Sequence, residues 1–235
     1  MSDTIVKVEN LNVVLSGQSI LKDLNFEIKK GEMTAIIGPN GAGKTVLFKA
    51  MLGLLPYSGK MQWGKGIRVG YVPQKFSVDR DMPLTAQEFF KLKTNDEAEI
   101  CRVLKNLEMG RDEHHIRHHV LGNRLGDLSG GEQQKILIAW AMINNPNVLL
   151  FDEPTAGVDI GTESGIYQLL KKMDENKDIT IIFISHDLNI IKTYADKVIC
   201  MNKKLICTGT PERVINSETL VKLYGPDASL YLHEH

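Results

Sequence analysis

The sequence predicts an α/β fold built on a parallel sheet, and three observations carry that expectation. A compact apolar run, Met33–Ile37, leads into a glycine-rich loop and then a helical stretch, Val46–Leu55, that stops near Pro56. Two further runs of buried-strand type, Val148–Phe151 and Ile179–Ile184, are separated by a segment long enough for a helix. Strands without polar alternation, joined through helices, belong to a sheet covered on both faces.

The elements around this core differ in kind. Thr4–Val14 and Leu24–Ile28 alternate in polarity and read as short strands of an N-terminal antiparallel layer. Gly59–Tyr71 mixes glycine with strand-like pieces and predicts a hairpin. From about Pro83 to His119 the chain is charged and helical in period, which predicts an inserted helical subdomain. The expected division is a single domain spanning 1–235. Residues 1–80 and 145–210 form the core, 81–144 the helical subdomain and 211–235 a C-terminal appendage.

Bulk composition narrows the function. The 235 residues carry 28 Lys+Arg against 29 Asp+Glu, a formal charge of −1, so the basic surplus of a nucleic-acid binder is missing. No apolar run approaches the ~20 residues of a membrane-spanning helix. Cys101, Cys200 and Cys207 lack metal-type spacing and are expected to be reduced thiols.

Three motifs carry chemistry. Gly38-Pro39-Asn40-Gly41-Ala42-Gly43-Lys44-Thr45 matches G-x-x-x-x-G-K-[ST] between a strand and a helix. Its glycines let backbone N–H groups converge on a phosphate, Lys44 can reach the β- and γ-phosphates, and the Thr45 hydroxyl can ligate Mg²⁺. Asp152-Glu153 closes a buried strand, where ligands of such sheets sit. Asp152 is suited to hold Mg²⁺ and Glu153 to align an attacking water; as bare sequence the pair could also be solvated acids capping a helix. Ser129-Gly130-Gly131-Glu132 has capping-box spacing, but two glycines inside the box weaken a helix start. They make sense where backbone must approach a ligand.

Together, LSGGE, the phosphate loop and VLLFDEP resemble the ATP-binding subunits of ABC transporters, in the right order over nearly the whole chain. The resemblance implies a P-loop NTPase (RecA-like) core with an N-terminal antiparallel β subdomain and an inserted α-helical subdomain. It implies ATP and Mg²⁺ as cofactors, and a homodimer in which Ser129, Gly130, Gly131 and Glu132 close in trans on the partner's ATP. Gln74 falls at the family's Mg²⁺-contacting glutamine, His186 at its γ-phosphate switch histidine, and Asp159 in the loop that crosses the dimer interface. Leu15 stands where an adenine-stacking aromatic is usual, Lys135 where arginine is usual, and Trp140 in place of another arginine.

Partners are implied in the same way. Integral permease subunits would dock on the surface from about Gln74 to Lys93, and an extracytoplasmic metal-binding protein would act indirectly; no nucleic acid is expected. The expected location is the cytoplasmic face of a bacterial inner membrane, as a peripheral subunit. The short segment before Gln74, the run Gly-Tyr-Val-Pro-Gln-Lys…Leu-Thr and the tail Ile-Cys-Thr-Gly-Thr-Pro-Glu…Leu-Tyr-Gly-Pro resemble importers of divalent metal ions, zinc above all, with manganese or iron as alternatives. A soluble ABC ATPase acting on ribosomes or DNA, or an ATP-binding module without turnover, are the rival readings. Finally, His114, His115, His118 and His119 pair four apart on a helix, a spacing that suits zinc; the same run also reads as a solvated helix face.

Overall fold

The computed structural model describes residues 3–74, 79, 81–153, 167–168 and 179–225. Two sheets organise them. The first is antiparallel with strand order β2-β1-β4, from β1 (Thr4–Leu15), β2 (Gln18–Lys29) and β4 (Ser58–Trp63). The second runs β5-β6-β7-β3-β8-β9: β5 (Val69–Val72), β6 (Val148–Asp152), β7 (Thr180–Ile184), β3 (Met33–Ile37), β8 (Lys197–Asn202) and β9 (Lys204–Gly209). Every pairing in it is parallel except β8 with β9.

The three runs read as buried strands are wholly buried in the structure. Their side chains alternate between two hydrophobic clusters, as the period of two requires. Ala35, Phe151 and Phe183 face the helical segment, while Ile36, Leu150 and Ile182 face the antiparallel sheet. With both faces covered, these strands read as nearly continuous apolar runs, broken only by Thr34, Asp152 and Thr180, which are buried too.

Helices described are α1 (Lys44–Met51), α2 (Ala86–Lys91), α3 (Glu97–Asn106), α4 (Glu113–His115, continued by a π turn over Ile116–Val120), α5 (Gly130–Met142), α6 (Leu188–Tyr194), α7 (Pro211–Val214) and α8 (Ser217–Tyr224). Side-chain caps set several starts: Thr85 with Glu88 on α2, Asp96 on α3, Asp112 on α4, Ser129 with Glu132 on α5 and Asp187 on α6.

Three expectations are corrected. The N-terminal strands are twelve residues each rather than short, because their alternation continues through register shifts that absorb the polar interruptions. Gly59–Tyr71 is not a hairpin: β4 joins β1 and β5 joins β6, in different sheets. The cysteines are not all reduced thiols, since Cys200 and Cys207 stand opposite on β8 and β9 and form a disulfide. Cys101 is free and buried.

Candidate nucleotide site and signature helix

Neighbouring strands deliver the motifs to one edge. Because β5, β6, β7 and β3 are adjacent and parallel, Gln74, Asp152-Glu153, His186 and the phosphate loop all leave the sheet at carboxyl ends side by side. Gly41 and Gly43 hold φ of 79° and 93° in the loop, the left-handed region that glycine enters without a Cβ penalty. Gly38 is needed for another reason: a Cβ there would lie 2.0 Å from the Met201 carbonyl oxygen of β8. The turn after β8 completes the support, with Lys203 N–H donating to Ala42 O at 2.9 Å.

Lys44 is buried and its ammonium donates to Gly38 O at 2.7 Å and Pro39 O at 3.2 Å. Burial pushes its pKa down, opposed by the charges of Glu153 and Asp152. An incoming phosphate adds anionic charge beside this desolvated ammonium and so favours its charged form. Asp152 accepts from Thr45 Oγ1 (3.1 Å) and from the Tyr71 hydroxyl (3.2 Å). Burial nevertheless pushes the Asp152 carboxyl above its usual range and is the largest influence on it.

Glu153 is the hub. One carboxylate oxygen lies 2.7 Å from His186 Nε2 and 4.0 Å from Lys44 Nζ, and the other accepts from Gln74 Nε2. Its backbone sits at φ 48°, rare for a residue with a side chain. Such strain costs on the order of 1–3 kcal/mol and gathers at functional sites. Here it turns the carboxylate out of the strand line toward the phosphate loop.

The Ser129–Glu132 segment forms a capping box. Ser129 N–H and hydroxyl donate to Glu132 Oε2 at 2.9 and 2.6 Å, and Glu132 N–H donates to Ser129 Oγ at 3.3 Å. These bonds hold the Glu132 carboxyl below its usual range. A Cβ on Gly130 would meet nothing within 4 Å, so the fold itself does not require glycine there. Ser129, Gly130 and Glu132 line an open groove with Gly126, Asp127 and Leu128.

The ABC transporter family model matches residues 21–156, which include the phosphate loop, Ser129–Glu132 and Asp152-Glu153. The chain belongs to the ABC transporter family. It is an ATPase of the ABC type. Curated relatives include the zinc import ATP-binding proteins ZnuC of Pasteurella multocida, 37% identical over 98% of this chain and 87% of that protein, and of Haemophilus influenzae, 36% identical over 98% and 85%. Among solved structures, an inward-facing metal-chelate type ABC transporter matches with a TM-score of 0.82 and 26% identity over 95% of this chain and 89% of that one. CbiO1 from Clostridium perfringens, part of the cbiONQ complex, matches with 0.75 and 31% over 98% and 99%.

The remaining positions of this ABC ATPase can now be placed. Leu15 ends β1 at a tight turn whose residues Ser16 and Gly17 have positive φ, and it packs partly buried on the cluster that includes Leu21. A Cβ on Gly43 would come within 2.5 Å of Leu21, so this hairpin abuts the phosphate loop. Trp140, where the family has arginine, receives Lys93: the ammonium lies 4.2 Å from the ring centroid and donates to Trp140 O at 2.7 Å. Helix α5 is seated on β5 at Gly70, where a Cβ would meet Ala141 O at 2.4 Å. Asp159 lies outside the described residues.

Two side chains escaped the sequence reading. Tyr71 holds Asp152 from the next strand, and its only signal was an aromatic at a strand's end beside Gln74. Tyr224, at the end of α8, shares a hydrogen bond with the Gly38 backbone, a contact between distant segments that no local pattern announces. Among the described residues no helix is long and apolar enough to cross a membrane.

Proposed function

We propose that this chain is the ATP-hydrolysing subunit of an importer of a divalent metal ion, zinc foremost. The observation that carries the ATPase part is the meeting of Lys44, Gln74 and His186 around the Glu153 carboxylate beside the phosphate loop. The zinc part is supported by the names of relatives at 35–37% identity over nearly the whole chain.

Gly38 to Thr45 hold the triphosphate, with Lys44 on the β- and γ-phosphates. The oxygens of Thr45, Asp152 and Gln74 form the hard donor set that Mg²⁺ prefers; when bound, the ion neutralises charge developing on the phosphates. Thr45 and Asp152 already share a hydrogen bond, so both can turn to one ligand with little movement. Glu153 accepts a proton from the attacking water and aligns it, and His186 orients Glu153 and contacts the γ-phosphate. Leu15 covers the base without a π face.

The working form is a homodimer. Ser129, Gly130, Gly131 and Glu132 close on the partner's ATP, and Asp159 lies at the crossing between subunits. A glycine at Gly130, where the fold leaves room for a Cβ, is the physical support: it keeps the helix start open to a close backbone approach. Permease subunits dock between Gln74 and Lys93, where Leu92 and Met82 leave 74% and 42% of their surface exposed. The division proposed is a core of residues 1–80 and 145–210, a helical subdomain of 81–144 and an appendage of 211–235. An extracytoplasmic metal-binding protein delivers the ion, and the subunit sits on the cytoplasmic face of the inner membrane.

The test joins chemistry to cargo. Cells lacking this gene are grown in chelator-treated medium with single metals restored, and complemented with the parent or Glu153→Gln. Rescue by excess zinc alone, and by the parent but not the variant, is expected. Rescue by manganese or iron instead would keep the ATPase and change the cargo. Growth indifferent to every metal would remove the importer reading.

A further inference from the structure

The four histidines upstream of the signature helix are not equivalent. A π turn follows α4, with Leu121 N–H donating to Ile116 O at 2.9 Å. This wider turn brings residues four apart closer to eclipse than an α-turn does, and such insertions gather at functional sites. His114 and His118 have tilted rings with centroids 4.4 Å apart, and both are exposed. The rings of His115 and His119 are tilted with centroids 4.9 Å apart, and both residues, His119 itself exposed, line a cavity of about 230 Å³ with Glu108, Glu132 and Lys135. His115 is half-buried, and its Nδ1 is fully buried with no hydrogen-bond partner. Because Nδ1 is closed off, the ring can take a ligand from the cavity only through Nε2.

We propose that His115 and His119 chelate a divalent metal ion of zinc type in this cavity, and that the ion slows ATP turnover by drawing Glu132 away from Ser129. Two imidazoles at this spacing suit zinc and disfavour magnesium, which takes oxygen ligands. Among the described residues no three His, Cys, Asp or Glu side chains are grouped to hold an ion. Water therefore completes the shell, and the site releases its ion readily. That weakness fits a sensor of surplus metal rather than a store.

The coupling follows from one carboxylate. Glu132 lines the cavity and also fixes Ser129 through two hydrogen bonds to its Oε2. A dication beside it competes with Ser129 for that charge and repels Lys135 on the next turn. The capping box loosens, and the signature segment loses the pose needed to close on ATP. The regulatory sense of the site rests on the proposed function; binding of the metal does not.

The test separates the two. The purified full chain, without nucleotide and in excess Mg²⁺, is titrated with Zn²⁺ against a chromogenic chelator. Parent and His114→Asn/His118→Asn are expected to bind alike, while His115→Asn/His119→Asn weakens binding by at least about tenfold. ATPase of the assembled transporter is then followed against free Zn²⁺. Inhibition is expected for the parent and for the 114/118 variant, and is lost in the 115/119 variant with its basal rate and thermal midpoint kept. His119→Gln alone repeats both readings should the double variant unfold. Equal zinc affinity in the parent and 115/119 variant overturns the site; equal inhibition with affinity lost overturns the coupling. A parent that binds zinc but never hydrolyses ATP leaves the site standing and sinks the proposed function.

Discussion

Replacing Gly38 with alanine tests whether the phosphate loop is held by backbone packing rather than by glycine's torsional freedom. Gly38 does not occupy the left-handed region, so no φ strain confuses the result. The added Cβ would lie 2.0 Å from the Met201 carbonyl oxygen, whereas real Cβ contacts essentially never fall under 3.0 Å. Strand β8 must therefore retreat by about 1 Å, yet it is paired to β3 at Ile37↔Cys200 and cannot swing aside as a side chain would. Overpacking of this kind costs about 1–3 kcal/mol, and backbone against backbone belongs at the upper end. For a domain of this size each kcal/mol lowers the melting midpoint by about 2–4 °C, so a drop of roughly 6–12 °C is expected. The assay is calorimetry without nucleotide, paired with ATP binding, which should weaken. Gly64→Ala is the control, because its Cβ would make only ordinary contacts, with Ile5 O at 3.6 Å and the Ile67 side chain at 3.7 Å; its midpoint should stay within about 2 °C of the parent. A Gly38→Ala protein as stable as the Gly64→Ala protein would refute the packing argument.

Glu153→Gln should lower steady-state ATPase by about 10²–10⁴-fold, the usual worth of a general base, while equilibrium ATP binding is retained; turnover within tenfold of the parent would assign the base elsewhere. Asp152→Asn should raise the nucleotide-free melting midpoint at pH 7 even as it removes activity, because burial makes the carboxylate costly. The folded pKa is raised, so the folded state binds more protons in the window above the ordinary value of 3.8. That cost grows as pH rises through the window, and the gap between variant and parent should close toward pH 4; a gap independent of pH would contradict it. Trp140→Arg removes the ring under Lys93 and sets a like charge beside a half-buried ammonium. It should cost about 1–2 kcal/mol, read as a midpoint lowered by roughly 2–8 °C, and an unchanged midpoint would show the pair to be idle.

Much of this molecule is legible in its sequence because the chemistry demands contiguous residues. A phosphate cradle needs glycines and a lysine at fixed offsets, and a capped helix needs Ser129 three residues before Glu132. Fully buried strands advertise themselves because both faces of the sheet are covered. Those facts determined the α/β class, the family and the residues of the candidate site. The tertiary structure decided what depends on partners distant in the chain. It alone assigned β4 and β5 to different sheets, set Tyr71 against Asp152 and placed Met201 under Gly38. It also closed Cys200 on Cys207 and set only His115 and His119, of the four histidines, against a cavity. Local patterns encode each residue's preferred backbone and exposure; they do not encode which strand arrives alongside, since sheet register is settled by packing over the whole core.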